Sequence, residues 1–213
     1  MNFLPENIDL YSTQHTSPES EWLYNLNRET HQKILKPRML SGHLQGRVLS
    51  MLSNMIKPER ILEIGTYTGY SALCLAEGLT ETGKLHTIDI NEELQNFVQK
   101  HIDASPYKNK IQQHIGNALE IIPTLNEKFD IVFIDADKEN YLPYFNLVFD
   151  KVKSGGYIIA DNVLWSGKVV EPVKSNDTDT QKLLEFNTFI QQHDGVENVL
   201  LPVRDGLMIC RKK

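Results

Sequence analysis

The sequence predicts an open, doubly wound α/β fold: one mostly parallel sheet with helices on both faces, ending in an antiparallel hairpin. Three observations predict it. From residue 60 to about 160, short apolar strand-like segments alternate with helical ones, the pattern of a parallel sheet whose crossovers are helices. Only Arg204-Asp205-Gly206 joins the last two apolar segments, enough for a hairpin but far too short for a parallel crossover. The chain has 213 residues, 40% hydrophobic and 23% charged, which fits a single domain (1–213) with a large core.

Taken in order, residues 1–20 are polar and broken by Pro5 and Pro18, and read as an N-terminal arm or lid. A helix over 20–34 starts from a Ser20 cap. Residues 42–56 repeat apolar groups at Leu44, Val48, Met51/Leu52 and Met55, the stripe of a helix facing a core, and Pro58 ends it. These N-terminal helices pack on the sheet. Strands are expected at 60–64, 84–90, 111–114, 129–134 and 157–160, and helices at 71–78, 91–102, 117–125 and 139–152. After a polar stretch come a helix at about 180–193 and the two last strands, 196–203 and 206–211.

Charge and composition exclude several roles. Lys and Arg number 22 against 28 Asp and Glu, a net −6, which argues against a broad electrostatic grip on nucleic acid or an anionic membrane. No apolar run approaches the roughly 18 residues of a membrane span. The first 19 residues have neither a basic nor an apolar signal-peptide segment, so a cytoplasmic location is expected. Cys74 and Cys210, the two cysteines, cannot build a disulfide framework or a thiolate zinc site. Hydrolase signatures are missing, and a near P-loop at 78–85 has Leu85 in place of the magnesium-binding hydroxyl and runs from helix to strand.

Two constellations carry chemistry. The first is Ile64-Gly65-Thr66-Tyr67-Thr68-Gly69-Tyr70-Ser71, a glycine turn between a strand and a helix. Gly65 and Gly69 permit close backbone approach, and the helix start offers unpaired N–H groups. Asp89 ends the next strand, twenty residues after Gly69, where a carboxylate accepts hydrogen bonds from ribose hydroxyls. Together they indicate a nucleoside-bearing cofactor. Tyr67 stands where a dinucleotide turn has glycine and would crowd a pyrophosphate, so a cofactor without phosphates fits better.

The second constellation follows the fourth and fifth strands: Asp135-Ala136-Asp137-Lys138, and Asp161-Asn162-Val163-Leu164-Trp165-Ser166. Both lie at the sheet's carboxyl edge. Asp135, Asp161 and Asn162 offer oxygen donors only, the set for a hard cation; the alternative is that both aspartates cap the helices that follow. Lys138, near a cation and a positively charged cofactor, would have its ammonium form disfavoured and serve as a general base.

These residues resemble the cation-dependent O-methyltransferases, which include catechol and caffeoyl-CoA O-methyltransferases. The most specific pieces are 62–71, 129–141, 161–167 and 205–211, and the likeness runs from about residue 20 onward. It implies the Rossmann-like methyltransferase fold, whose sheet ends in this hairpin, and S-adenosylmethionine as cofactor. By the resemblance Glu63, Gly65, Thr66, Ser71, Asp89, Ala118 and Asp137 would contact that cofactor, and Ser41 would approach it through its backbone. Asp135, Asp161 and Asn162 would bind Mg2+, or Mn2+ or Ca2+; Lys138 and Asp135 would be catalytic; Trp165 and Ser166 would touch substrate. The reaction implied is methyl transfer to a vicinal dihydroxy aromatic, a small phenolic molecule, by a homodimer. Some bacterial relatives methylate a hydroxylated uridine in tRNA, which is the runner-up reading. A nucleotide-binding oxidoreductase is disfavoured by Tyr67 and by the terminal hairpin.

Overall fold

The computed structural model describes residues 5–213. Residues 1–4 of the expected arm lie outside the described residues, and the rest of it contains helix α1 (Glu6–Gln14). Helix α2 (Glu21–Lys33) follows Ser20, whose side chain makes no capping bond, so the expected cap is a cap by position alone. Next comes α3 (Gly42–Ile56), which ends at Lys57 in the left-handed conformation, just before Pro58.

From here strands and helices alternate: β1 (Arg60–Ile64), α4 (Tyr70–Ala76), β2 (Lys84–Asp89), α5 (Gln95–Asp103), β3 (Ile111–Ile115), α6 (Ala118–Thr124), β4 (Phe129–Ile134), α7 (Tyr141–Phe149) and β5 (Val152–Asp161). Then follow α8 (Thr178–Gln192), β6 (Val196–Leu201) and β7 (Leu207–Lys212). One sheet contains all seven strands in the order β3-β2-β1-β4-β5-β7-β6. The first five are parallel, and β7 runs antiparallel to both β5 and β6. Parallel pairing aligns Ile64 with Ile88 and Ile134, and Ile134 with Ala160, so the carboxyl ends of four strands meet at one edge.

Alternation along the strands divides the core. Leu62, Ile64, Val132, Ile134 and Ile158 face α7 and α8, while Ile61, Leu85, Ile131, Phe133 and Ile159 face α2, α3 and α4. The residues buried on both sides explain why these strands read as apolar runs.

Two expectations are corrected. The stripe on α3 is packed only in part: Val48 and Leu52 lie half-buried against the core, Met51 and Met55 are exposed, and the fully packed side carries Gln45, Gly46, Leu49, Ser50 and Ser53. The reason is the closeness of α4. A Cβ on Gly46 would lie 2.7 Å from the Tyr70 ring, and one on Gly78 would lie 2.2 Å from the Ser53 carbonyl carbon. Contact this tight selects small residues over large apolar ones. The helix expected to reach residue 152 stops at Phe149, because Val152 already pairs with Phe129 in β5.

Candidate active site

The glycine turn is locked to both neighbouring strand ends. Gly65 has φ 100, and a Cβ there would lie 1.9 Å from the Asp135 carbonyl oxygen. Its N–H donates to Ile88 O at 2.9 Å, while Asp135 N–H donates to Ile64 O at 2.8 Å. Glycine is therefore required where the turn and the Asp135 loop touch. Gly69, at φ 86, precedes α4.

Asp89 is held ready by backbone. Tyr67 N–H donates to Oδ2 at 2.7 Å and Asn91 N–H to Oδ1 at 2.8 Å, so the carboxylate is fixed at the end of β2 with further lone pairs open. Beneath the turn, Glu63 is fully buried. Ser71 Oγ donates to its Oε1 at 2.6 Å and Thr87 Oγ1 to its Oε2 at 2.5 Å, and Thr87 also meets Thr66 Oγ1 at 2.5 Å. Burial pushes the Glu63 carboxyl up to about 8, against the lowering effect of the two hydroxyls, with Asp135 and Asp89 adding repulsion. Ala118 is buried at the start of α6, behind Asn117, which caps that helix by accepting from Leu119 N–H. Ser41, buried just before α3, has its carbonyl engaged by the Arg204 guanidinium, which also donates to Leu40 O at 2.9 Å.

The second constellation converges around one ammonium. Lys138 is buried; its Nζ donates to the Tyr141 hydroxyl and, at 3.2 Å, to Asn162 Oδ1, and lies 3.6 Å from Asp135 Oδ1. The same Nζ is 4.4 Å from the Tyr141 ring centroid and 5.6 Å from that of Trp165. Asp161 is buried, accepting from Asn162 N–H at 2.7 Å and from Gln45 Nε2 at 2.5 Å. Burial, then the charge of Asp135, pushes the Asp161 carboxyl up to about 7. Neither aspartate caps a helix: the turn Lys138–Asn140 is preceded by Asp137 and the turn Trp165–Val170 by Leu164. The capping alternative is thereby removed. Asp137 itself is turned toward α7, accepting from the Tyr144 hydroxyl at 2.6 Å and from Asn140 Nδ2.

Asn162, Trp165 and Ser166 all have left-handed backbone, φ 58, 47 and 56, a cost of about 1 kcal/mol or more each for residues with a Cβ. The terminal hairpin holds them there. Leu164 N–H donates to Asp205 O at 2.9 Å, Val163 N–H to Gly206 O at 3.2 Å, and Ser166 N–H to Asp205 Oδ1 at 2.5 Å. Among the described residues no three His, Cys, Asp or Glu side chains gather as a metal cage; the candidate donors are two carboxylates and one amide. These donors fit a hard cation: oxygen only, with Lys138 Nζ already drawn between Asp135 and Asn162.

An O-methyltransferase family profile matches residues 13–213. The chain belongs to the O-methyltransferase family. It is similar to caffeoyl-CoA O-methyltransferase of Medicago sativa, 38% identical over 79% of this chain and 72% of the relative. A similar match is caffeoyl-CoA O-methyltransferase 5 of Nicotiana tabacum, 36% identical over 79% of this chain and 75% of the relative. Among solved structures, the O-methyltransferase from Bacillus cereus in complex with SAH superposes with a TM-score of 0.89 at 28% identity, covering 97% of each chain. The O-methyltransferase TomG from Streptomyces achromogenes, in complex with SAM, gives 0.87 at 27%, covering 97% of this chain and 96% of that one.

In this O-methyltransferase the structure adds residues that sequence reasoning missed. Gln45 reaches Asp161 across 116 positions, Tyr141 joins Lys138 to the Asp161 carbonyl, and Arg204 and Asp205 tie the hairpin to Ser41 and Ser166. Tyr141 lies inside the 129–141 motif and was within reach of the sequence. Gln45 is polar and lies beside the apolar stripe on α3, so no pattern marked it as buried.

Proposed function

We propose that this O-methyltransferase moves a methyl group from S-adenosylmethionine to one hydroxyl of a vicinal dihydroxy aromatic small molecule, with a divalent cation, Mg2+, Mn2+ or Ca2+, as its metal. The observation that carries the reading is the convergence of Asp135, Asp161 and Asn162 on one edge beside the glycine turn, none of them spent on a helix cap. The plant relatives' name, caffeoyl-CoA O-methyltransferase, supports a phenolic acceptor, since a caffeoyl group carries two adjacent hydroxyls.

Asp135, Asp161 and Asn162 would hold the cation, and Asp89, Gly65 and Gly69 would receive the nucleoside and its tail. S-adenosylmethionine supplies the methyl group as a sulfonium, and a divalent cation, when bound, lowers the pKa of a chelated hydroxyl. A water, or Lys138 Nζ in its neutral amine form, takes the phenolic proton. Tyr141 and Trp165 flank that nitrogen and restrict water around it, which favours a reaction in which opposite charges cancel; orienting the two reactants contributes several kcal/mol, by order of magnitude. Trp165 and Ser166, fixed by Asp205, would present one wall to the substrate ring. The reading includes a homodimer, which the exposed Met51 and Met55 on the outer face of α3 support by offering apolar surface to cover.

The test compares a catechol acceptor with unmodified and hydroxylated tRNA, with and without EDTA. Methylation of the catechol that EDTA removes and Mg2+ or Mn2+ restores is expected, with little salt dependence because few phosphates are contacted. S-adenosylmethionine should still bind in EDTA, and Asp161→Ala and Asn162→Ala should reproduce the EDTA state. Full activity in chelator, or transfer to tRNA alone with steep salt dependence, would overturn the reading.

A further inference from the structure

Gln45 sits in the second turn of α3, on its packed face, and is fully buried. Its Nε2 donates to Asp161 Oδ2 at 2.5 Å. Its Oε1 is also buried and has no hydrogen-bond partner. An unsatisfied buried acceptor costs roughly 1–3 kcal/mol, and Met at this helical position would carry no such cost, having similar helix propensity and no polar end to satisfy. The fold thus keeps an open acceptor on the same planar amide whose other end grips a proposed cation ligand.

The Asp161 carboxylate is held at both oxygens, by Gln45 Nε2 on one and Asn162 N–H on the other. Each carboxylate oxygen has a second lone-pair site, so these bonds orient the group without exhausting it. Asn162 N–H belongs to the site's own loop. Gln45 comes from a helix before the sheet begins and stiffens the ligand from behind.

We infer that Gln45 is a positioning residue of the cation site: its Nε2 sets the Asp161 carboxylate, and its Oε1 accepts a hydrogen bond from a water or substrate hydroxyl brought there with the ion. The inference rests on the reading that Asp135, Asp161 and Asn162 hold a divalent cation. A clamp with only a structural role would change stability and leave cation affinity as it is.

The experiment measures Mn2+ binding to the full chain by electron paramagnetic resonance and S-adenosylmethionine binding by calorimetry, for the wild type, Gln45→Met and Asp161→Asn. Gln45→Met should weaken Mn2+ binding about 10- to 100-fold, the range for residues behind a metal ligand, with S-adenosylmethionine affinity within about twofold of wild type. Should Gln45→Met fail to fold, the wild-type side-chain amide signal of Gln45 in NMR should move as Mg2+ is titrated. Unchanged Mn2+ affinity in Gln45→Met, or a Gln45 amide signal that saturating Mg2+ leaves in place, overturns the inference alone. A wild type that binds no Mn2+ while still binding S-adenosylmethionine overturns the cation reading and this inference together.

Discussion

Glu63 makes the stability of the cofactor-free protein depend on pH in a way that one substitution isolates. Its carboxyl is fully buried between Ser71 and Thr87, and burial raises it from 4.5 to about 8. The folded chain therefore holds this proton more tightly than the unfolded chain. The stabilisation is complete below about pH 4.5 and is lost as pH rises through about 8. At about 1.4 kcal/mol per pH unit, that interval corresponds to roughly 5 kcal/mol. Glu63→Gln removes the titration and keeps the shape, and an amide still serves two hydroxyl neighbours. Urea unfolding of both proteins between about pH 5 and pH 8 should give similar stabilities at the acid end and a variant increasingly the more stable toward the alkaline end. Every other titrating group is present in both proteins and cancels in the difference. A difference that changes by less than about 1 kcal/mol across the interval would show that Ser71 and Thr87 keep Glu63 ionised, and would refute the reasoning.

Three further outcomes are expected. Gly65→Ala puts a methyl 1.9 Å from the Asp135 carbonyl oxygen at φ 100, so it should cost about 3 kcal/mol or more in thermal unfolding; a near-wild-type melt would mean the turn and the Asp135 loop separate freely. Asp89→Ala should weaken S-adenosylmethionine binding in calorimetry by more than about 1 kcal/mol, and a preference for NADH over S-adenosylmethionine would end the methyltransferase reading. Lys138→Ala should lower turnover most at neutral pH and less at high pH, where the substrate ionises unaided; an equal loss at every pH would remove Lys138 as the base.

The sheet was legible wherever burial on both faces made a strand a continuous apolar run. Residues 60–64 and 129–134 coincide with β1 and β4 to the residue. The start of β5 was not, because Lys153, Ser154, Gly155 and Gly156 read as a loop, yet they continue a strand whose register shifts against β4 between Phe129 and Ile131. The hairpin followed from loop length alone. The packed face of α3 was only partly legible for a physical reason: Val48 and Leu52 do pack on the core, but an apolar stripe marks the whole buried side only where a helix sits at ordinary distance from its neighbour. Where backbones nearly touch, as Gly78 does at Ser53, or a ring presses on the helix, as Tyr70 does at Gly46, small and polar residues join the buried side and Met51 and Met55 are left outside.

The same division runs through the site. Asp89, Asp135 and Asp161 could be placed together because parallel strands deliver their carboxyl ends to one edge, so position in the chain translates into position in space. Gln45 and Arg204 reach the site from a helix and a turn that strand order does not locate, bridging 116 and 163 positions, and no local pattern announces such contacts. The backbone of Trp165 and Ser166 was equally hidden, since neither is glycine and nothing in their types calls for positive φ, whereas Asn162 is of a type that tolerates it. That conformation exists because Asp205 and Gly206 hold it from outside the segment. The residues that read as a hairpin turn thus also shape the loop proposed to face substrate, which gives the terminal antiparallel pair a part in the site beyond closing the sheet.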